Sequence, residues 1–186
     1  EAQRLLNSVE GRHRERDYCI LCIFLNCGLR ISEIVGLNLG DIRADHIRVL
    51  GKGSKERVVY LNDATCDAIN NYLAVRALIK AEDPSALFLS SRKTRVTREG
   101  IHAMVKKALL TAGLDPSQYS AHKLRHTAAT LMLSQGVDVR TLQELLGHEH
   151  LNTTQIYTHV DNTELRLAAN ASPLAHFEPE KNNKSE

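Results

Sequence analysis

Two short stretches of this sequence carry side chains suited to chemistry on a phosphate. In His122-Lys123-Leu124-Arg125-His126 an imidazole and a guanidinium stand at i and i+3, which on a helix puts both on one face. The arginine offers phosphate oxygens a planar fork, and the histidine offers a proton. The same stretch holds His122 and His126 at i and i+4, the spacing of a zinc pair. The metalloprotease pattern needs a glutamate after the first histidine, and Lys123 occupies that place, so the residues argue against a metal. A helix with exposed polar residues is the third reading. The second stretch runs from Leu145 to Tyr157. His148 follows a helix-ending glycine, Gly147, and Tyr157 lies within a short helix that Asn152 or Thr153 can cap. A phenol with an ordinary pKa of ~10 is a weak nucleophile, so it needs a base and positive charge nearby.

Three further features are weaker singly. Arg30 and Glu33 share a helical face, and as a simple surface ion pair they would contribute ~0.5 kcal/mol or less. Lys52 sits between two glycines at a turn, where a solvated lysine is the commoner role. Between Arg92 and Lys107 the basic residues Arg92, Lys93, Arg95, Arg98, Lys106 and Lys107 face the single acid Glu99. Such a stripe can neutralise phosphates or simply form a solvated face.

The elements that must position these residues can be read from periodicity. Residues 14–27 predict a hydrophobic helix that stops at Gly28, followed by a second helix from about Leu29 to Leu37. His46–Leu50 and Arg57–Leu61 are β-rich and bracket Gly51–Lys55, which predicts a hairpin. Asn62 or Asp63 can cap a helix through Lys80, with Ile69, Leu73, Val75 and Ile79 at helical intervals. Leu87–Leu89 is a short apolar segment. Thr97 caps a helix with Ile101, Val105 and Leu109 on one face, ending at Gly113. Ala121–Gln135 closes at Gly136, and Asp138 caps Val139–Leu146, which closes at Gly147. The helix with Tyr157 follows, then Thr163–Ala171. From residue 173 the chain predicts a disordered, charged tail. The fold class is mainly α with one small antiparallel sheet.

Composition agrees with one globular domain. The 186 residues are 42% hydrophobic and contain no tryptophan, so the core is aliphatic. The formal charge of +2 does not by itself announce a nucleic-acid partner. Cys19, Cys22 and Cys27 lie in one apolar stretch and read as buried small hydrophobes; no second pair completes a zinc site with the Cys19/Cys22 motif. Free thiols and the lack of a signal peptide fit the cytoplasm. No apolar run approaches the ~20 residues that span a membrane.

Taken in order, the motifs are Gly28-Leu29-Arg30 with Ser32-Glu33, then Gly51-Lys52-Gly53-Ser54-Lys55-Glu56-Arg57. His122 to Thr127, Leu145-Leu146-Gly147-His148 and Thr153-Thr154-Gln155-Ile156-Tyr157-Thr158-His159 follow. In this order and spacing the sequence resembles the catalytic domain of the tyrosine recombinase (phage integrase) family, nearest to Xer-type site-specific recombinases. The resemblance runs from about Leu21 to Ala169. It implies that Tyr157 attacks the scissile phosphorus to give a 3′-phosphotyrosyl bond, and that Arg30 and Arg125 clamp the non-bridging oxygens. Lys52 would protonate the 5′ leaving oxygen from a hairpin that closes on DNA. His122 would help remove the phenolic proton, and His148 would position the phosphate. Glu33 would buttress Arg30, and His126 would be a supporting or core histidine. Lys55, Arg57, Arg92, Lys93, Arg95 and Arg98 would touch the DNA backbone. No metal, cofactor or ATP is implied. Where many relatives carry proline after the hairpin, this chain has Tyr60.

The resemblance also implies an organisation. Residues 1–172 would be the catalytic domain, with 1–12 linker-like and 163–171 a helix that docks on a neighbouring subunit through Leu165, Leu167 and Ala168. The family's N-terminal core-binding domain has no counterpart in this sequence. The partners would be double-stranded DNA and, in a synaptic tetramer, further copies or a closely related recombinase; the process would be chromosome-dimer resolution or mobile-element integration and excision. Three alternatives stay open at this point. A type IB topoisomerase would relax supercoils, a non-catalytic DNA-binding module would form no covalent adduct, and a metal-dependent hydrolase would be stopped by chelators.

Overall fold

The computed structural model describes residues 1–51, 56–147 and 162–180. Its elements are α1 (Ala2–Asn7), α2 (Arg14–Cys22), α3 (Ile31–Gly36), β1 (His46–Leu50), β2 (Glu56–Tyr60), α4 (Asp63–Ala77), α5 (Arg98–Thr111), α6 (Ala121–Ser134), α7 (Val139–Leu146) and α8 (Asn162–Asn170). The two strands pair antiparallel, with Ile47 opposite Val59 and Val49 opposite Arg57. This is the mainly helical class with one small sheet that the periodicity predicts.

The centre of the molecule is α2 and the π-helical turn Ile23–Cys27 that continues it. Every residue from Cys19 to Cys27 is buried, as expected for a helix apolar on all sides. Helices α4 and α6 pack on it. The run ends at Gly28, whose φ of +59° is left-handed. A Cβ there would come within 2.5 Å of Leu146 Cδ2, so this position needs glycine for both its conformation and the approach of α7. Burial pushes the Cys22 and Cys27 thiols up to about 12 and raises Cys19 well above its ordinary value.

Helix α4 is shorter than predicted. It stops at Ala77, and its buried face is Ala68, Ile69 and Tyr72, whereas Val75 is exposed and Ile79 lies beyond the helix. The caps at Asn62, Thr97 and Asp138 follow the sequence, and Ser120 adds one that the sequence reading did not name. Asn62, Thr97, Ser120 and Asp138 each accept a backbone N–H in the first turn of α4, α5, α6 and α7.

A second, smaller core joins Met132 of α6, Leu142, Leu145 and Leu146 of α7, and Ala168 of α8. Helix α8 therefore sits on its own body. Ala168 and Ala169 are buried and Leu165 packs on this core, while Leu167 is exposed. Arg166 adds an ion pair to Asp45 at 2.6 Å and lies 4.2 Å above the Tyr60 ring, a contact that proline at position 60 would not provide.

The expected disorder from residue 173 gives way to packing as far as Glu180. Leu174 and Ala175 are buried, Phe177 packs against the main core, and Ala64 N–H donates to Ala175 O at 2.8 Å. The charged residues begin only at Glu178, and the apolar ones before them find a place in the core. A buried polar cluster secures the segment. Asn26 Oδ1 accepts from Asn62 Nδ2 at 3.0 Å and from Ser172 Oγ at 2.8 Å, and Asn62 Nδ2 also donates to Ala169 O at 3.1 Å.

Asn62 is thus both a helix cap and the tie to the C-terminal segment. Asn62→Ala is expected to lower stability by about 3 kcal/mol, the sum of a lost cap and unmet buried partners, and Ser172→Ala by about 1 kcal/mol. Denaturant unfolding followed by circular dichroism checks both values.

Candidate active site

The site begins where α3 begins. Arg30 is the N-cap residue, extended at φ −73° and ψ 149°, and Glu33 is three residues on. The first N–H groups of a helix lack intrahelical acceptors, and here the Glu33 carboxylate reaches back to accept the Arg30 N–H at 2.7 Å. The same carboxylate takes Arg30 Nη1 at 3.0 Å. From β2, Arg57 brings Nη1 and Nη2 onto the two Glu33 oxygens at 2.7 and 3.0 Å. Glu33's side chain is 4% exposed and Arg30's 41%, so the carboxylate is sealed beneath an arginine that still faces solvent. Burial draws the Glu33 carboxyl upward, but the hydrogen bonds from Arg57 and from the Arg30 N–H outweigh it and hold it below the usual carboxylate range.

Arg125 approaches from α6. It is buried, with Nη1 donating to Gly28 O and Nη2 to Leu146 O at 2.7 Å. Arg30 Nη2 donates to the next carbonyl along, Gly147 O, at 3.0 Å. Two guanidiniums therefore rest on consecutive carbonyls of the turn that ends α7. Gly147 has φ +67°, and a Cβ on it would lie 2.9 Å from Arg57 Nε and Cζ. Burial first, then the neighbouring Arg30 and Arg57 cations, push Arg125 down to about 10, with Glu33 opposing. It stays charged at neutral pH. Three cations around one carboxylate leave an excess of positive charge, the electrostatics that suit an anion such as a phosphodiester.

The other predicted residues divide into three groups. Lys52, Lys55, His148 and Tyr157 lie outside the described residues. The described chain flanks them at Gly51, Glu56, Gly147 and Asn162. His122 is in the first turn of α6 and exposed, while Arg125 on the same helix is buried, so i,i+3 spacing gave their side of the helix but not their depth. His126 is exposed, which removes it from the core.

Among the expected DNA contacts, Arg92, Lys93 and Arg98 are exposed. Arg95 is half-buried and bonded to the body of the protein. It donates through Nε to Asp83 at 3.0 Å, through Nη1 to Val35 O and Leu37 O at 3.0 Å each, and through Nη2 to Asn38 at 2.7 Å and Ser85 at 3.4 Å. Those five bonds use the donors of a guanidinium completely. Arg57 turns both its Nη atoms inward to Glu33. Sequence reasoning gave Arg57 as a DNA-backbone contact and missed its pairing with Glu33. Its signal was positional: Val49 and Val59 put residue 57 on the inward side of the hairpin.

The model of the phage integrase family matches residues 1–164. Over 176 residues the chain is 54% identical to the tyrosine recombinase XerC of Caldanaerobacter subterraneus subsp. tengcongensis, covering 94% of this chain and 50% of that protein. Among solved structures, XerA recombinase superposes with a TM-score of 0.74 at 32% identity, covering 89% of this chain and 60% of the other. XerH site-specific recombinase bound to its difH substrate, in a pre-cleavage complex, superposes with a TM-score of 0.71 at 30% identity, covering 86% and 49%. The chain spans about half the length of the curated relatives it matches.

Glu33 sets the pH response of this cluster. A carboxyl held low contributes stability that is fully present above its unfolded value of about 4.3 and is lost as pH falls through the lower folded value. Glu33→Gln, which leaves Arg57 buried without its anion, is expected to cost about 3 kcal/mol at pH 7. Its melting temperature is also expected to fall less steeply than wild type from about pH 4.5 to pH 3. Thermal melts across that range check both points.

Proposed function

This chain belongs to the phage integrase family, and from that membership we propose that it carries the catalytic domain of a site-specific DNA recombinase that cuts and rejoins duplex DNA through Tyr157. The observation that carries the reading is the placement of Arg30 and Arg125 on the consecutive carbonyls of Gly147 and Leu146. That puts both cations beside the residue preceding His148, in a site with surplus positive charge.

In this reading the Tyr157 oxygen attacks the scissile phosphorus, and the phosphorus–O5′ bond breaks. His122 helps accept the phenolic proton, and Lys52 supplies a proton to the departing 5′ oxygen. Arg30 and Arg125 stabilise the charge that builds on the non-bridging oxygens, and His148 holds the phosphate in place. The phosphodiester is exchanged for a phosphotyrosyl ester of similar energy, so a 5′-hydroxyl of another strand can reverse the step without ATP. Arginine side chains supply the charge, and the reaction calls on no metal. The substrate is double-stranded DNA, in keeping with the DNA-bound XerH structure that this chain resembles. Exposed Arg92, Lys93 and Arg98, with Lys55, contact its backbone. Recombination joins two duplexes, so the active assembly is a tetramer of this protein or of this protein with a close relative. It acts in the cytoplasm. No helix among the described residues is long and apolar enough to cross a membrane.

The deciding experiment incubates the intact protein with a nicked suicide duplex carrying a candidate recombination site. Wild type is expected to give a covalent protein–DNA band on a denaturing gel, and Tyr157→Phe to give none. Duplex binding without any covalent band from wild type would reduce the chain to a DNA-binding module.

A further inference from the structure

We propose that Arg57 is a positioning residue for strand transfer, holding Arg30 through Glu33 and fastening the β1–β2 hairpin to the turn that precedes His148. The inference rests on the phosphotyrosyl reading above and deepens it.

The argument starts from register. Ile47, Val49 and Val59 form the buried side of the hairpin, and Arg57 stands opposite Val49, on that same side. An arginine among aliphatic neighbours is costly to bury without an anion, and its side chain is only 17% exposed. The anion is Glu33. Each carboxylate oxygen is shared: Oε1 accepts Arg57 Nη1 and Arg30 Nη1, and Oε2 accepts Arg57 Nη2 and the Arg30 N–H. Moving Arg57 would therefore turn the carboxylate and, with it, the arginine that faces the site.

The second contact is with Gly147. The Arg57 side chain lies so close to this turn that an added Cβ would meet Nε and Cζ at 2.9 Å and Cδ at 3.1 Å. Arg57 Nε is buried there with no hydrogen-bond partner among the described residues. Its pose is set by Glu33 on one side and by the glycine on the other. Arg30 Nη2 closes the circuit by donating to Gly147 O. Arg57, Glu33, Arg30 and Gly147 thus form a closed ring of contacts. The ring joins the strand that follows Lys52, the start of α3, and the turn before His148. Both Nη donors of Arg57 are engaged with Glu33.

The test separates rate from affinity, using the intact protein and the nicked suicide duplex under single-turnover conditions. Misplacing a clamp arginine by a fraction of an ångström is expected to slow covalent adduct formation in Arg57→Ala about 10- to 100-fold, with duplex affinity within about twofold of wild type. Arg57→Lys, which keeps the cation but loses the fork, is expected to recover part of that rate. Because Arg57 acts through Glu33, the double variant Arg57→Ala/Glu33→Gln should be no slower than the slower single variant. Weakened duplex binding at an unchanged adduct rate would make Arg57 a DNA contact and overturn the proposal, as would single-variant losses that multiply in the double variant. Should Arg57→Ala melt below the assay temperature, the rate-against-affinity split in Arg57→Lys decides the same question. Absence of adduct from wild type itself would remove the phosphotyrosyl reading, and the proposal with it; a normal wild-type rate alongside a normal Arg57→Ala rate would remove the proposal alone.

Discussion

The Glu33 carboxylate, buried between Arg30 and Arg57, is the interaction on which the rest of the site depends. Like charges gathered in a poorly solvated corner repel, and a cluster of arginines there would not persist without an anion at its base. Glu33 supplies that anion and also ends the problem of an uncapped helix, since it accepts the N–H of the residue that begins α3. One side chain therefore serves the local geometry of the helix start and the electrostatics of the site together. The carboxylate neutralises only one of the three positive charges near it. The remainder leaves the cluster with net positive charge.

The resting places of the arginines fit the same logic. Gly28 O and Leu146 O accept from Arg125, and Gly147 O accepts from Arg30. Backbone carbonyls are weaker acceptors than phosphate oxygens, so they orient the guanidiniums without competing strongly for them. Two of these three carbonyls belong to left-handed glycines that end helical runs. The turns that stop α7 and the π-helical segment are thus also the surfaces against which the cations are set.

Much of the fold was legible because it rests on local rules. Asp138, Thr97 and Asn62 cap where capping chemistry predicts, Gly28 and Gly147 end helical runs, and the hairpin is built from the two β-rich runs. What the sequence left illegible depends on partners far along the chain. Arg95 and Arg98 are alike in a window of sequence, yet one staples Val35, Leu37 and Asp83 and the other is exposed. Arg57 reads as a surface cation because its anion is 24 residues away. Composition also misplaced the boundary of order near the C-terminus, since Leu174 and Ala175 are too few to stand out beside the charged residues that follow them. For the cluster, residue types and spacing singled out Arg30, Glu33 and Arg125 as candidates, while depth and pairing had to come from the packing.

The sealed thiols of the central helix have a practical meaning. Cys19, Cys22 and Cys27 are shut off from solvent, and burial raises all three far above the range in which a thiolate exists at neutral pH. Alkylating reagents and mild oxidants act on thiolates they can reach, and here they meet neither condition. Labelling of these three sulfurs therefore counts molecules whose central helix has come open, and the rate at which they take up reagent is a built-in clock for unfolding.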